Sequence, residues 1–323
     1  MKIAKDTTVD LEHFVTLFDS KFLPMGMALH SSLMTHAKMF HLWILCMDRV
    51  VEDQLRQLSL PNVTLIPLGE VETKKMLDVK PGRTVAEYCW TLTSFTPEFV
   101  FDRDSSVRRV TYLDADLFFF DDPLIVLDEL TQCGKHVLIT EHHYAPEYDQ
   151  SRKFGRFCVQ FMTFRKSPEG LKVMKWWQDR CIEWCFARAE DGKFGDQMYL
   201  DSWPIRFASE VHILAQLDRA LAPWNVAYVL DVRRSPFKPV FFHFHGFRVV
   251  SNNRLLFYRR YWIGPSGQSL YLEYAAAVKA ALSLIYQRWK SIPILPERRT
   301  YFDYVLRLIF RCFNRIQYQK FNL

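Results

Sequence analysis

The sequence predicts an α/β fold: a mainly parallel, mixed sheet flanked by helices, with a helical C-terminal extension. The apolar runs at residues 15–18, 42–47 and 63–67 are continuous rather than alternating, which is the pattern of strands buried on both faces. Helical segments at residues 24–36 and 50–58 separate them, and strand–helix alternation of this kind builds parallel crossovers. Asp19, Asp48 and Asp114 each follow an apolar run directly, and ligands of such sheets bind beyond the carboxyl ends of the strands. With 323 residues, 49% of them hydrophobic and 24% charged, the chain can bury one large core or two smaller ones, which excludes a disordered protein.

The later elements follow the same reading. Residues 84–101 read as a helix broken near Pro97, leading into a strand at 110–113. A strand at 137–140 ends in Glu141-His142-His143, and the polar, aromatic stretch 144–156 reads as a lid or an acceptor wall. Strand 157–164 precedes a helix at 169–187, whose Trp176, Trp177 and Trp184 are expected in the core. Gly192-Lys193-Phe194-Gly195-Asp196-Gln197 introduces a short helix through Leu200, and residues 239–244 form another strand. The charge shift near Val250 divides the chain into a body, 1–250, and an extension, 251–323. Helices are expected in the extension at 270–290 and 301–319, separated by Ile292-Pro293-Ile294-Leu295-Pro296.

Residues 251–323 hold twelve Lys or Arg against three Asp or Glu, a balance of +9, so against a whole-chain charge of +6 the first 250 residues sum to −3. A basic excess confined to the tail argues against a nucleic-acid-binding body and for an anionic surface met by the C-terminal region. The first ten residues lack the apolar core of a secretory signal, and no uncharged apolar run has the length of a membrane span. The expected location is cytoplasmic, with peripheral contact on the inner face of the membrane. Seven scattered cysteines without Cys-x-x-Cys spacing read as reduced thiols.

Chemistry concentrates at Arg108-Arg109-Val110-Thr111-Tyr112-Leu113-Asp114-Ala115-Asp116. Positions i and i+2 of an extended backbone lie on one side, so Asp114 and Asp116 can converge on one point. Two carboxylates that close need a cation or proton between them. A hard divalent ion suits such oxygen ligands and bridges to phosphates. Asp48 after its strand reads as a helix N-cap. Farther on, Asp196-Gln197 and His243-Phe244-His245-Gly246 supply further polar groups in chain order.

Taken in this order, the three segments resemble the nucleotide-sugar-dependent glycosyltransferases of the GT-A fold, in particular glycosyltransferase family 8. The resemblance covers about residues 15–250. It implies that Asp114, Asp116 and a late His hold a divalent cation, with His243 as the ligand and His245 as its alternative. Imidazole beside carboxylates favours Mn²⁺ over Mg²⁺. It further implies that Asp196 and Gln197 stand at the reacting sugar carbon, and that Phe18, Asp19 and the Asn225 of Pro223-Trp224-Asn225 line the donor site. Where such proteins carry Tyr-x-Arg, Tyr88 here is followed by Cys89 and Trp90, with Arg83 nearby. Arg248 stands near the place of the usual lysine after His-x-x-Gly. The implied activity is transfer of a sugar from a nucleotide donor, UDP-sugar first, to a glycan or lipid-linked acceptor in cell-surface polysaccharide or lipopolysaccharide synthesis, with retention of configuration.

Two other readings compete. An Asp-x-Asp phosphohydrolase would place the motif on its first strand before a small residue and Thr, whereas here Leu117 and Phe118 follow. A non-enzymatic membrane adaptor accounts for the tail and for none of the three polar segments. In the tail, Phe302, Val305, Leu306, Ile309, Phe310, Phe313 and Ile316 recur at helical spacing, with Asp303, Arg307, Arg311, Asn314 and Arg315 opposite. Such a face suits a membrane surface, the catalytic body or a homodimer contact.

Overall fold

The computed structural model describes residues 11–295 and 316–321. Its first half alternates strand and helix: β1 (Glu12–Phe18), α1 (Leu23–His36), β2 (Phe40–Cys46), α2 (Arg49–Leu58) and β3 (Val63–Pro67). Helices α3 (Lys74–Val79), α4 (Val85–Thr93) and α5 (Thr96–Arg103) lead into β4 (Arg109–Leu113) and a short β5 (Leu117–Phe119). Next come α6 (Leu124–Cys133), β6 (Val137–Glu141), α7 (Ser151–Phe154), β7 (Phe157–Arg165), α8 (Pro168–Glu183) and α9 (Trp203–Arg206). The chain continues through β8 (Val211–Ile213), β9 (Ala220–Leu221), β10 (Phe241–His243), β11 (Arg248–Ser251), β12 (Arg254–Arg259), α10 (Gly264–Trp289) and β13 (Ile316–Lys320).

Seven strands form the central sheet in the order β3-β2-β1-β4-β7-β6-β8. β1, β2, β3 and β4 run parallel, as do β6 and β8, while β7 is antiparallel to both its neighbours. The mixed, mainly parallel sheet is therefore present, and its continuous apolar strands are covered on both faces by two large hydrophobic clusters. Asp19, Asp48 and Asp114 follow β1, β2 and β4, three adjacent parallel strands, and so share one rim. Asp48 is the N-cap of α2, accepting from the Val51 amide at 2.7 Å, and it also accepts from the Ser20 amide at 2.9 Å, which ties the ends of β1 and β2 together.

Two small sheets complete the fold, β5-β10-β9 and β11-β12-β13. Behind them α10 packs on α1, with Tyr271, Tyr274 and Val278 joining Met25 and Ala28 in a third cluster. Among the described residues, no helix is long and apolar enough to cross a membrane.

The helical stretch before β4 is broken near Pro97 as expected, at Ser94–Phe95, and Pro97 sits in the first turn of α5, where its missing N–H is harmless. Other elements differ from expectation. Residues 144–156 are not plain loop, since Pro146–Tyr148 forms a 3-10 turn and α7 follows it. α6 has no counterpart among the elements expected from sequence. Just ahead of it Asp122 accepts from the Leu124 amide at 3.0 Å, and the helix buries a stripe of Val126, Leu127 and Leu130. The last expected helix, 301–319, needs correction at its end: residues 316–319 belong to β13, paired antiparallel with β12. The open edge of β12 offers a row of amides and carbonyls that a strand satisfies and a helix does not. Arg254 lies 3.8 Å over the Tyr318 ring across that pair. The apolar positions 302–313 and the cations 307, 311 and 315 lie outside the described residues.

Candidate active site

Backbone pairing builds one corner at the carboxyl end of β4. The Asp114 amide donates to the Gln160 carbonyl at 2.9 Å, which fixes the turn after β4 against β7. Three residues on, β5 pairs with β10 so that Leu117 faces His243, and the Phe244 amide donates to the Asp116 carbonyl at 2.9 Å. These bonds bring together carboxylates and an imidazole 127 residues apart in sequence, from Asp116 to His243. His243 Nε2 lies 3.2 Å from Asp116 Oδ1 and 3.6 Å from Asp114 Oδ2. One ligand atom from each of the three falls within 4.8 Å of the others. Asp116 and His243 are buried, while the Asp114 side chain is 30% exposed, so the corner opens to solvent on one side.

The electrostatics follow from this crowding. Burial raises the Asp114 carboxyl above its usual pKa, against the pull of His243, and the charge on Asp116 raises it further. Burial also acts on Asp116, yet His243, and more distantly Arg248, outweigh it and draw its carboxyl below the ordinary range. Burial disfavours the His243 imidazolium, but the two carboxylates more than compensate and lift its pKa well above the usual value. Two carboxylates crowded on one point have the charge pattern a divalent cation needs, and two oxygens with one imidazole form a fitting donor set for Mn²⁺. On His243's far side, Nδ1 lies 2.7 Å from Gln160 Oε1.

Asp196 comes to the same corner. Gly195 makes this approach possible: it has φ +53, and a Cβ there would stand 3.3 Å from the Trp90 ring. Asp196 is buried, its carbonyl accepts from Trp177 Nε1 at 2.8 Å, and burial together with the Asp114 charge lifts its carboxyl well above the carboxylate range. Gln197 donates its side-chain amide to the Phe154 carbonyl at 2.6 Å, holding the end of α7. Asp201 closes the same segment by accepting from the Arg156 amide at 2.8 Å.

The other expected residues take varied positions. Phe18 is buried, with its ring in the space over Gly26, where a Cβ would stand 2.5 Å from it. Asp19 lies on the shared rim and accepts from the Lys21 amide at 3.0 Å. Arg248 lies 5.1 Å over the Phe22 ring and its charge reaches Asp116. His245 is exposed, with its ring 5.5 Å from that of His243, and is not one of the three clustered ligands. Arg83 binds the Ile182 carbonyl at 2.7 Å and the Thr91 hydroxyl. Asn225 is buried, donating to the His142 carbonyl at 3.1 Å and accepting from the Ala222 amide at 2.9 Å.

Sequence reasoning missed three neighbours of the corner. Gln160 is a lone amide in an apolar strand, and that anomaly was its signal. Tyr112 donates to Asp114 Oδ1 at 2.8 Å from two residues upstream. Trp224 stands out in the sequence only as the neighbour of Asn225, although its ring lies 5.7 Å from the rings of both His243 and His245.

No family model matches the chain. The uncharacterized protein YfnF of Bacillus subtilis (strain 168) is 29% identical over 257 residues, which is 75% of this chain and 84% of YfnF. YfnD of the same organism is 28% identical over 287 residues, 83% of this chain and 88% of YfnD. Among solved structures, galactosyltransferase LgtC in complex with donor and acceptor sugar analogues is similar at a TM-score of 0.52 and 12% identity, covering 88% of this chain and 98% of LgtC. At that identity the likeness is one of fold, and the fold of this chain is similar to that of the GT-A glycosyltransferases.

Proposed function

We propose that this protein is a divalent-metal-dependent glycosyltransferase that moves a sugar from a nucleotide-diphosphate donor, UDP-sugar first, to a glycan or lipid-linked acceptor. The observation that carries the reading is the convergence of Asp114, Asp116 and His243 on one point at the carboxyl edge of a GT-A-like sheet. Those three side chains would hold Mn²⁺, which when bound supplies Lewis-acid stabilisation of the departing diphosphate. Arg248, whose charge already reaches Asp116, adds a second cation on that side. Asp196, buried beside Asp114, holds a sugar hydroxyl by hydrogen bonding. Gln197, anchored on the Phe154 carbonyl, orients the segment against the reacting carbon, in keeping with transfer that retains configuration.

Residues 1–250 are assigned as the catalytic body and 251–323 as a basic extension that meets the cytosolic face of an anionic membrane, supported by the +9 balance of that segment. A second copy of the chain is the competing occupant of its apolar face. The acceptor is a precursor of a cell-surface polysaccharide or lipopolysaccharide.

The test is thermal unfolding with UDP, GDP, dTDP or CMP, each with and without Mn²⁺. A ligand at 100 times its Kd stabilises the folded state by about 2.7 kcal/mol. A Tm rise that needs both nucleotide and Mn²⁺, and that is lost in the Asp114→Asn/Asp116→Asn variant, supports the reading. Four nucleotides without effect would end it.

A further inference from the structure

We infer that Gln160 is the positioning residue that fixes the tautomer of His243 and its aim at the metal, an inference that rests on the metal-site reading above. Gln160 sits in the middle of β7, in Phe157-Cys158-Val159-Gln160-Phe161, and is 1% exposed. A buried amide in an apolar strand is costly unless it is hydrogen-bonded. Its side-chain partner is His243, with Gln160 Oε1 2.7 Å from Nδ1. An amide oxygen only accepts, so Nδ1 must carry the hydrogen. In a neutral imidazole the lone pair then lies on Nε2, the nitrogen 3.2 Å from Asp116 Oδ1 and 3.6 Å from Asp114 Oδ2. With Gln160's amide reversed, its NH₂ would donate to Nδ1 and place a hydrogen on Nε2, where a metal bond has to form.

The same residue acts on the other arm of the corner. Its main-chain carbonyl accepts from the Asp114 amide at 2.9 Å, so one position on β7 sets the turn that carries both carboxylates and the ring that faces them. A ligating histidine commonly gives its other N–H to a carboxylate, carbonyl or water, and loss of that partner lowers metal affinity roughly 10- to 100-fold. Here a glutamine amide takes that part. Thr163, on the same strand, bonds through its hydroxyl to that of Thr111 at 2.9 Å, away from the corner.

The experiment is Mn²⁺ titration of the full chain followed by electron paramagnetic resonance, with the histidine tautomer read by ¹⁵N NMR on metal-free protein at alkaline pH, where the imidazole is neutral. Gln160→Leu should weaken Mn²⁺ binding about 10- to 100-fold and mix the His243 tautomers. Gln160→Glu keeps the acceptor and should bind Mn²⁺ within about threefold of wild type or more tightly, since a carboxylate partner raises ligand basicity. Gln178→Leu is the control: that α8 amide is also fully buried but bonds to Glu98 of α5 at 3.0 Å, so its loss should lower stability and leave Mn²⁺ affinity unchanged. If Gln160→Leu does not fold, Gln160→Met, which keeps the side-chain length, carries the same comparison. Wild-type protein that takes up no Mn²⁺ overturns the metal reading and this inference with it. Wild-type binding with unchanged affinity in the Gln160 variant overturns this inference alone.

Discussion

Trp224 stands between two buried polar side chains that the fold treats in opposite ways. On one side, His243 has Nδ1 engaged by Gln160 while Nε2 faces two carboxylates with no backbone group between them. On the other, next in sequence, Asn225 closes both ends of its amide on main chain, at His142 and Ala222. The two are about equally buried, at 4% and 1% exposed. Burial alone therefore does not mark function. A polar group satisfied by backbone is scaffold, whereas several that are oriented but left facing one another form a place for something else.

The largest effect should come from the side of this contrast where the polar groups face one another. Asp114→Asn/Asp116→Asn removes both anionic ligands and should lower sugar transfer by roughly 10³-fold or more, the scale of losing a developing-charge stabiliser in a dry site. Circular dichroism should be unchanged, because the main-chain bonds of the corner stay intact. Near-normal turnover in a donor-hydrolysis or transfer assay would mean that these carboxylates are scaffold as well. Gln197→Ala comes next. It should lower kcat by about 100-fold and nucleoside diphosphate affinity far less, as expected for a group that matters mainly in the transition state. Equal losses in both would show that the Phe154 contact merely holds the α7 segment in place.

The satisfied side predicts a different kind of loss. Asn225→Ala leaves the buried Ala222 amide and His142 carbonyl without that partner, which should reduce stability by about 1–3 kcal/mol in urea unfolding. Nucleotide affinity of the folded fraction should stay close to wild type. Weaker UDP binding at unchanged stability would move Asn225 from the scaffold to the donor site, where the family resemblance puts it.

How far the sequence discloses this contrast depends on the physics of each residue. The parallel core was legible because runs such as residues 42–47 are apolar throughout and stop at an aspartate. Asp114, Asp116 and His243 were legible as strand-end polar groups. Their partners were not: whether His243 Nε2 or His245 meets the carboxylates depends on the Leu117–His243 register of β5 and β10, a tertiary pairing with no local signature. Arg83 reads as a ligand-binding cation, and only the fold shows its guanidinium on the Ile182 carbonyl. In the tail, the 3.6-residue apolar period ran through Ile316. The alternation in Ile316-Gln317-Tyr318-Gln319-Lys320 was the competing period-two signal, and pairing with β12 decided in its favour.

That strand changes how the tail is best tested, and the expected effect is the smallest. Cutting the chain at Arg298 would also remove β13 and the buried Phe321, so unfolding would follow for reasons unrelated to lipid. A single charge substitution, Arg311→Gln, leaves the strand in place. Near an anionic bilayer each arginine contributes about 1 kcal/mol, which is roughly fivefold in partition. Arg311→Gln should therefore weaken binding to vesicles of phosphatidylglycerol and phosphatidylcholine about fivefold at low salt. The difference should shrink as ionic strength rises and the Debye length falls below about 10 Å. Donor binding and Mn²⁺ affinity should not change, since the metal corner is built from β4, β5, β7 and β10. Wild-type protein that ignores such vesicles at low salt, together with a concentration-dependent dimer in sedimentation, would assign the apolar positions of the tail to a second copy of the chain.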